Sequence, residues 1–209
     1  MLGISAGKLT NARTAIRGKK RRVIMATEPH PQFEFTLVLD GITAVTAKVE
    51  NALFEAGCDD ATISLRQGRV YLTFSRAAAT QKDAIISAIQ DIHNAAIGAE
   101  VLRVDQCDLV TQAEIARRIE RSRQLVSQYI SGGRGPGGFP APACKITDTA
   151  PLWYWCEVAQ WLCANDMISE SDLRNAQDIT TINSVLEIER QRRIFPESTR
   201  MIMESIGTV

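Results

Sequence analysis

At 209 residues, with 45% hydrophobic and 23% charged residues, the chain is long enough for one or two buried cores and has an ordinary globular composition. No apolar run approaches the ~20 residues of a bilayer span, no apolar h-region opens the chain, and the cysteines (Cys58, Cys107, Cys144, Cys156, Cys163) form no CxxC pair; these features argue against membrane insertion, secretion and a disulfide frame, and for a reducing cytoplasm. The zero net charge hides a segregation: residues 1–22 hold 7 bases and no acid, 33–107 hold 6 and 10, 108–145 hold 6 and 3, and 146–209 hold 5 and 10.

Two basic segments on an acidic chain would focus a polyanion, although solvated surfaces account for the charges equally well. Residues 1–32 lack sustained periodicity and end at Pro29 and Pro31, so they read as a disordered basic arm. Such an arm suits DNA phosphates or an organellar transit peptide, and Met25 is a plausible alternative start of translation.

From Phe33 the chain alternates: Phe33, Phe35, Leu37 and Leu39 fall on one face of a predicted strand. After Asp40-Gly41, Val45, Val49, Ala52, Leu53 and Ala56 recur at helical spacing up to Gly57. Strands are predicted over 62–66 and 70–74, joined at Gln67-Gly68, a hairpin signal. Ile85, Ile89 and Ile92 mark a second helix within 80–96, and Val101, Leu102 and Val104 a last strand. The order β-α-β-β-α-β over residues 33–107 resembles a ferredoxin-like domain, an antiparallel four-stranded sheet with two helices on one face. The resemblance carries no cluster chemistry. Such a domain is a candidate for dimerisation or for a small-molecule or protein effector. Cys58 reads as a buried structural thiol.

Thr111-Gln112-Ala113-Glu114 has the spacing of a capping box, in which the Thr hydroxyl meets the Glu N–H and the Glu carboxylate reaches back. A helix over 112–119 turns Ile115 and Ile119 inward, with Ala116 small where a second helix crosses. Ser122 caps a helix over 122–131 with Val126 and Tyr129 or Ile130 inward, ending at Gly132-Gly133. These two short helices and their tight turn resemble the helix-turn-helix family, whose second helix enters the major groove. The polar residues of that helix are Arg123, Gln124, Ser127 and Gln128; Arg suits guanine O6/N7 and Gln suits adenine N6/N7. Arg117, Arg118 and Arg121 are placed for phosphates or for solvation. One departure stands out: Glu120 occupies the turn position where the backbone tends to positive φ and glycine is usual, at a cost on the order of 1 kcal/mol.

The next segment runs Gly132-Gly133-Arg134-Gly135-Pro136-Gly137-Gly138, then Phe139-Pro140-Ala141-Pro142, then Leu152-Trp153 and a helix ending Trp161-Leu162. No strand leads into this glycine run and no Gly-Lys-Ser/Thr ends it, so it is no phosphate-binding P-loop. Over residues 108–165 the combination resembles the winged helix-turn-helix of excisionases and MerR-type regulators. The resemblance implies a DNA-facing surface of Thr111, Gln112, Arg121, Ser122, Arg123, Gln124, Ser127, Gln128, Arg134 and Lys145, the last two on phosphates. It also implies that the more exposed of Trp153, Tyr154 and Trp155 braces the wing while Trp161 and Leu162 pack on the first helix.

Residues 166–209 form a C-terminal helical segment: Ser169 and Asp172 signal a helix start, and Ile179, Ile182, Val185, Leu186 and Ile188 form a stripe suited to the wing helix or a second subunit. A shorter helix over 199–206 follows Pro196. The expected class is α+β: a ferredoxin-like domain, a winged helix-turn-helix and C-terminal helices. The expected function is a sequence-specific, homodimeric regulator of transcription bound to double-stranded DNA. An excisionase-like recombination factor and an autoregulating antitoxin are the alternatives. No catalytic constellation, cofactor motif or metal-ligand set stands out, His30 and His93 being far apart, so an enzyme is not expected.

Overall fold

The computed structural model describes residues 30–144 and 150–207, so the basic arm lies almost wholly outside the described residues. Alternation makes β1 (Gln32–Asp40) a strand with Phe35, Leu37 and Leu39 buried on one face. The helix α1 (Ala47–Glu55) begins where the Thr46 hydroxyl accepts the Val49 N–H, two residues later than the apolar spacing from Val45 implies. It stops at Gly57, where a φ of +105° and the nearby Asp91 carboxylate disfavour a side chain. The strands β2 (Ala61–Arg66) and β3 (Arg69–Ala77) meet through Gln67 and Gly68, both at positive φ, as a two-residue hairpin turn requires. The helix α2 (Gln81–Asn94), capped by Thr80, and the strand β4 (Glu100–Val104) complete an antiparallel sheet of order β2-β3-β1-β4. Leu53 of α1 and Ala84, Ile85, Ala88 and Ile92 of α2 share one core with Leu37, Leu39, Val70, Leu72 and Phe74, so both helices cover the same face.

Arg76 of β3 is buried in that unit. Its Nε and Nη2 donate to the two oxygens of Asp60 (2.8 and 2.9 Å), Nη1 to Asp91 and Ser87, and Nη2 to the Gly57 carbonyl. Every guanidinium hydrogen is thus matched, which offsets the cost of burying the charge.

A second unit follows. It contains β5 (Leu109–Val110), α3 (Gln112–Arg118), α4 (Arg123–Ile130), β6 (Trp153–Tyr154) and α5 (Trp155–Ala164), with β5 and β6 paired antiparallel. Val110, Ile115, Ala116, Val126, Trp153, Val158, Trp161 and Leu162 form its core.

The 25-residue helix α6 (Glu170–Ile194) begins with a complete Ser169–Asp172 capping box, and α7 (Pro196–Ser205) follows after Phe195. α6 packs along α5 and across β4. Its apolar residues do not form one stripe: Ile179, Ile182 and Leu186 join the sheet's core, whereas Val185 and Ile188 stay exposed. Asn183 is buried at the sheet edge, where it accepts the Val104 N–H (2.8 Å) and donates to the Gln106 carbonyl (3.1 Å). The last residue of the edge strand β4 thereby gains a side-chain partner where the ladder has none. The described residues thus form a mixed α+β structure with seven helices, a four-stranded antiparallel sheet and a two-stranded sheet. None of these helices is long and apolar enough to cross a membrane.

Candidate nucleic-acid interface

Thr111 caps α3 as its spacing predicts, its hydroxyl accepting the Glu114 N–H at 3.2 Å. The reciprocal half of the expected box is not made. The Glu114 carboxylate turns instead to Arg117 (3.0 and 2.6 Å) and to Arg118 Nε (3.0 Å), because two guanidiniums offer stronger charge-assisted bonds than one backbone N–H. Those bonds, Arg117's first, hold the Glu114 pKa down to about 2. Arg118 also donates to the Cys107 carbonyl and lies over the Trp155 ring at 4.7 Å. The side chains of Arg117 and Arg118 are thus tied into the chain's own contacts; Arg118 is only 12% exposed, which corrects its placement among phosphate-ready residues.

α3 ends in a Schellman turn: Arg121 N–H reaches the Ala116 carbonyl (2.9 Å) and Glu120 N–H the Arg117 carbonyl (3.2 Å). Glu120 takes the left-handed position at φ +53°, as its place in the turn predicts. Ser122 then caps α4 by accepting the Leu125 N–H. Gln112 locks the two helix starts together, its Nε2 donating to the Arg123 carbonyl at 2.8 Å. Val126 is fully buried beneath α4, and both Tyr129 and Ile130 pack on the same core.

This packing leaves one side of α4 outward. Arg123, Gln124 and Ser127 are exposed, Gln128 is half-buried, and Thr111, Arg121, Ser122 and Arg134 are exposed around them. Among the described residues Arg123 and Arg134 make no ion pair, and Arg121 reaches only the Glu120 carbonyl (3.3 Å). The Thr111 and Ser122 hydroxyls serve as caps and Gln112 as a tie, so these three position the surface more than they extend it. Lys145 lies outside the described residues.

The glycine- and proline-rich segment is anchored on the aromatic side chains of the second unit. Trp161 Nε1 donates to the Gly137 carbonyl (2.9 Å) and Trp153 Nε1 to the Pro140 carbonyl (3.1 Å). Phe139 lies edge-on to both rings, and Tyr129 lies against Trp161. Gly135 has φ +86°, and a side chain there would come within 3.0 Å of the Tyr129 ring. Beyond this segment, Cys144 and Leu152 pair in an isolated antiparallel β-bridge. Of the three candidates, the ring that holds this segment is the buried Trp153 and not a more exposed one, which corrects the expectation: Tyr154 is exposed, and Trp155 begins α5 instead of continuing the strand. The partner strand β5 has no signal in the sequence, since two residues are too few to show alternation.

No protein-family model, curated protein or solved structure matches this chain.

Proposed function

We propose that the chain is a DNA-binding protein of the winged helix-turn-helix class, with a ferredoxin-like domain ahead of it. Within that class it is a sequence-specific regulator of transcription that sets α4 in the major groove of duplex DNA. One observation carries the reading: Arg123, Gln124 and Ser127 are exposed on a helix whose opposite side is buried at Val126. That gives a base-reading set on a fixed platform, with the unpaired Arg134 and the adjoining Arg121 for phosphates.

The test is selection from a pool of random duplexes at low ionic strength. One motif is expected to enrich. Arg123→Ala should then weaken binding by about 1–3 kcal/mol and relax preference at one base pair, while Arg134→Ala weakens all sequences alike and lowers the salt slope by about 1. A chain that never shifts a duplex at low salt would end the proposal.

Duplex sites are commonly read by two-fold dimers, and a second copy of this chain is the partner that suits the C-terminal helices. Val185, Ile188, Ile194, Phe195, Met201, Ile202 and Ile206 are all exposed on the end of α6, on α7 and just beyond it, and α7 buries no residue. At on the order of 150–200 Å² for a large side chain, their exposures leave roughly 600–800 Å² of largely apolar surface in water, near the ~800 Å² per partner of a standard interface. The flanking charges balance, Glu187, Glu189, Glu197 and Glu204 against Arg190, Arg192, Arg193 and Arg200. That suits self-association better than docking of the acid-free residues 1–22. Light scattering should give a dimer at micromolar concentration and a monomer for Phe195→Glu/Ile202→Glu. A wild-type monomer, or a dimer that appears only after residues 1–24 are removed, would reject the pairing.

A further inference from the structure

On the face of the sheet turned away from α1 and α2, a cavity of about 390 Å³ opens between the β2–β3 turn, β4 and α6. The register sets Tyr71, Val38 and Arg103 in a row across β3, β1 and β4, and sets Arg66 directly opposite Arg69 beside the turn. Like charges facing each other across a strand pair are unfavourable, yet both line this cavity, joined by Arg103 and by Arg190 of α6.

The carboxylates at hand do not saturate the four guanidiniums. Asp105 holds Arg103 at 3.0 Å, and Glu187 meets Arg190 only at 3.5 Å. Asp40 approaches Arg69 Nη1 at 3.4 Å without forming a hydrogen bond, so that buried nitrogen has no acceptor. Arg66 has no ion pair among the described residues. Among the described residues Glu187 is the only acid lining the cavity, whose size falls in the range of small-ligand sites.

We propose that this cavity binds a small molecule through a phosphate group. Guanidinium forks match phosphate oxygens in pairs, and a phosphate monoester carries nearly two charges where a carboxylate carries one. The phosphate would lie between the exposed parts of Arg66 and Arg69 and offset their repulsion, and Tyr71 offers a ring and a hydroxyl to the remainder of the ligand. Because Arg190 belongs to α6, which also packs on α5, an occupied cavity would bias the seat of the helix-turn-helix. That last consequence rests on the proposed DNA-binding function, whereas the binding itself does not.

The experiment is calorimetric titration of the full chain with inorganic pyrophosphate at physiological salt, without DNA. One saturable site is expected. Arg69→Gln/Arg190→Gln should weaken it at least about tenfold, and so should Arg66→Gln alone, which leaves the α6 contact intact; Arg123→Ala should not change it. Far-UV circular dichroism checks that each variant is folded. Absence of saturable heat up to millimolar pyrophosphate would overturn the site, as would parent-like affinity in the Arg69→Gln/Arg190→Gln and Arg66→Gln variants or loss of binding in Arg123→Ala. A cavity that instead tracks nucleic-acid backbone would show weaker duplex binding in Arg69→Gln/Arg190→Gln with no pyrophosphate site, and that too rejects a small-molecule ligand.

Discussion

Glu114 ties two arginines to the start of the helix that supports α4, and its pKa is displaced from 4.5 to about 2 by hydrogen bonds from Arg117 and then Arg118. A carboxyl whose folded value is lowered contributes stability that is complete above its unfolded value and disappears as pH falls toward the folded one. The contribution should therefore fade between about pH 4.5 and 2. Glu114→Gln is expected to lower stability at pH 7 and to match the parent near pH 2, read by denaturant melts at each pH. A gap that stayed constant with pH would mean the carboxylate's charge is not what matters. Glu120 offers a test of opposite sign. Its left-handed φ strains a residue with a side chain, so Glu120→Gly should stabilise by roughly 0.5–1 kcal/mol, less what glycine adds to the unfolded chain's freedom. The Cys58 thiol is buried and pushed up to about 11 by that burial and by Asp91, so iodoacetamide at pH 8 should label the exposed Cys107 and spare Cys58 until the protein unfolds.

Among the elements, Asn183 and Trp161 do work that no periodicity announces. Replacing Asn183 with Ala strips Val104 N–H and the Gln106 carbonyl of buried partners, which should cost about 1–3 kcal/mol in a urea melt. The strands and caps were readable because each rests on neighbours in sequence: alternation from Phe33, two residues at a hairpin turn, Ser or Thr one residue before a helix. The positive φ of Glu120 was readable for the same reason. What escaped depends on distant groups. Glu114 abandons its box for Arg117 and Arg118, a choice set by competition among donors that spacing cannot rank. β5 exists only because β6 lies beside it, some forty residues later. The apolar stripe on α6 divides because one side meets β4 while Val185 and Ile188 meet water, and a single helix cannot reveal where its neighbours stand. Of the outward residues on α4, Arg123, Gln124 and Ser127 were legible from the helical period alone. The tie from Gln112 to the Arg123 carbonyl was not.

At the scale of the molecule, α6 belongs to both units: Ile179 lies in the core of the sheet, Asn183 completes the β4 edge, and Thr180 Oγ1 donates to Asp108, just ahead of β5, at 3.2 Å. A helix shared in this way makes it costly to melt one unit while the other persists. The placement of the indoles turns this into something visible. Trp153, Trp155 and Trp161 are the chain's three tryptophans, and none belongs to the β1–β4 unit. Emission at their wavelength is therefore a local lamp on the second unit, while the peptide bands in the far ultraviolet integrate over both. If α6 welds the halves, the lamp and the bands should dim along one curve as urea rises, and light from a region with no part of the four-stranded sheet would report how firmly that sheet is held.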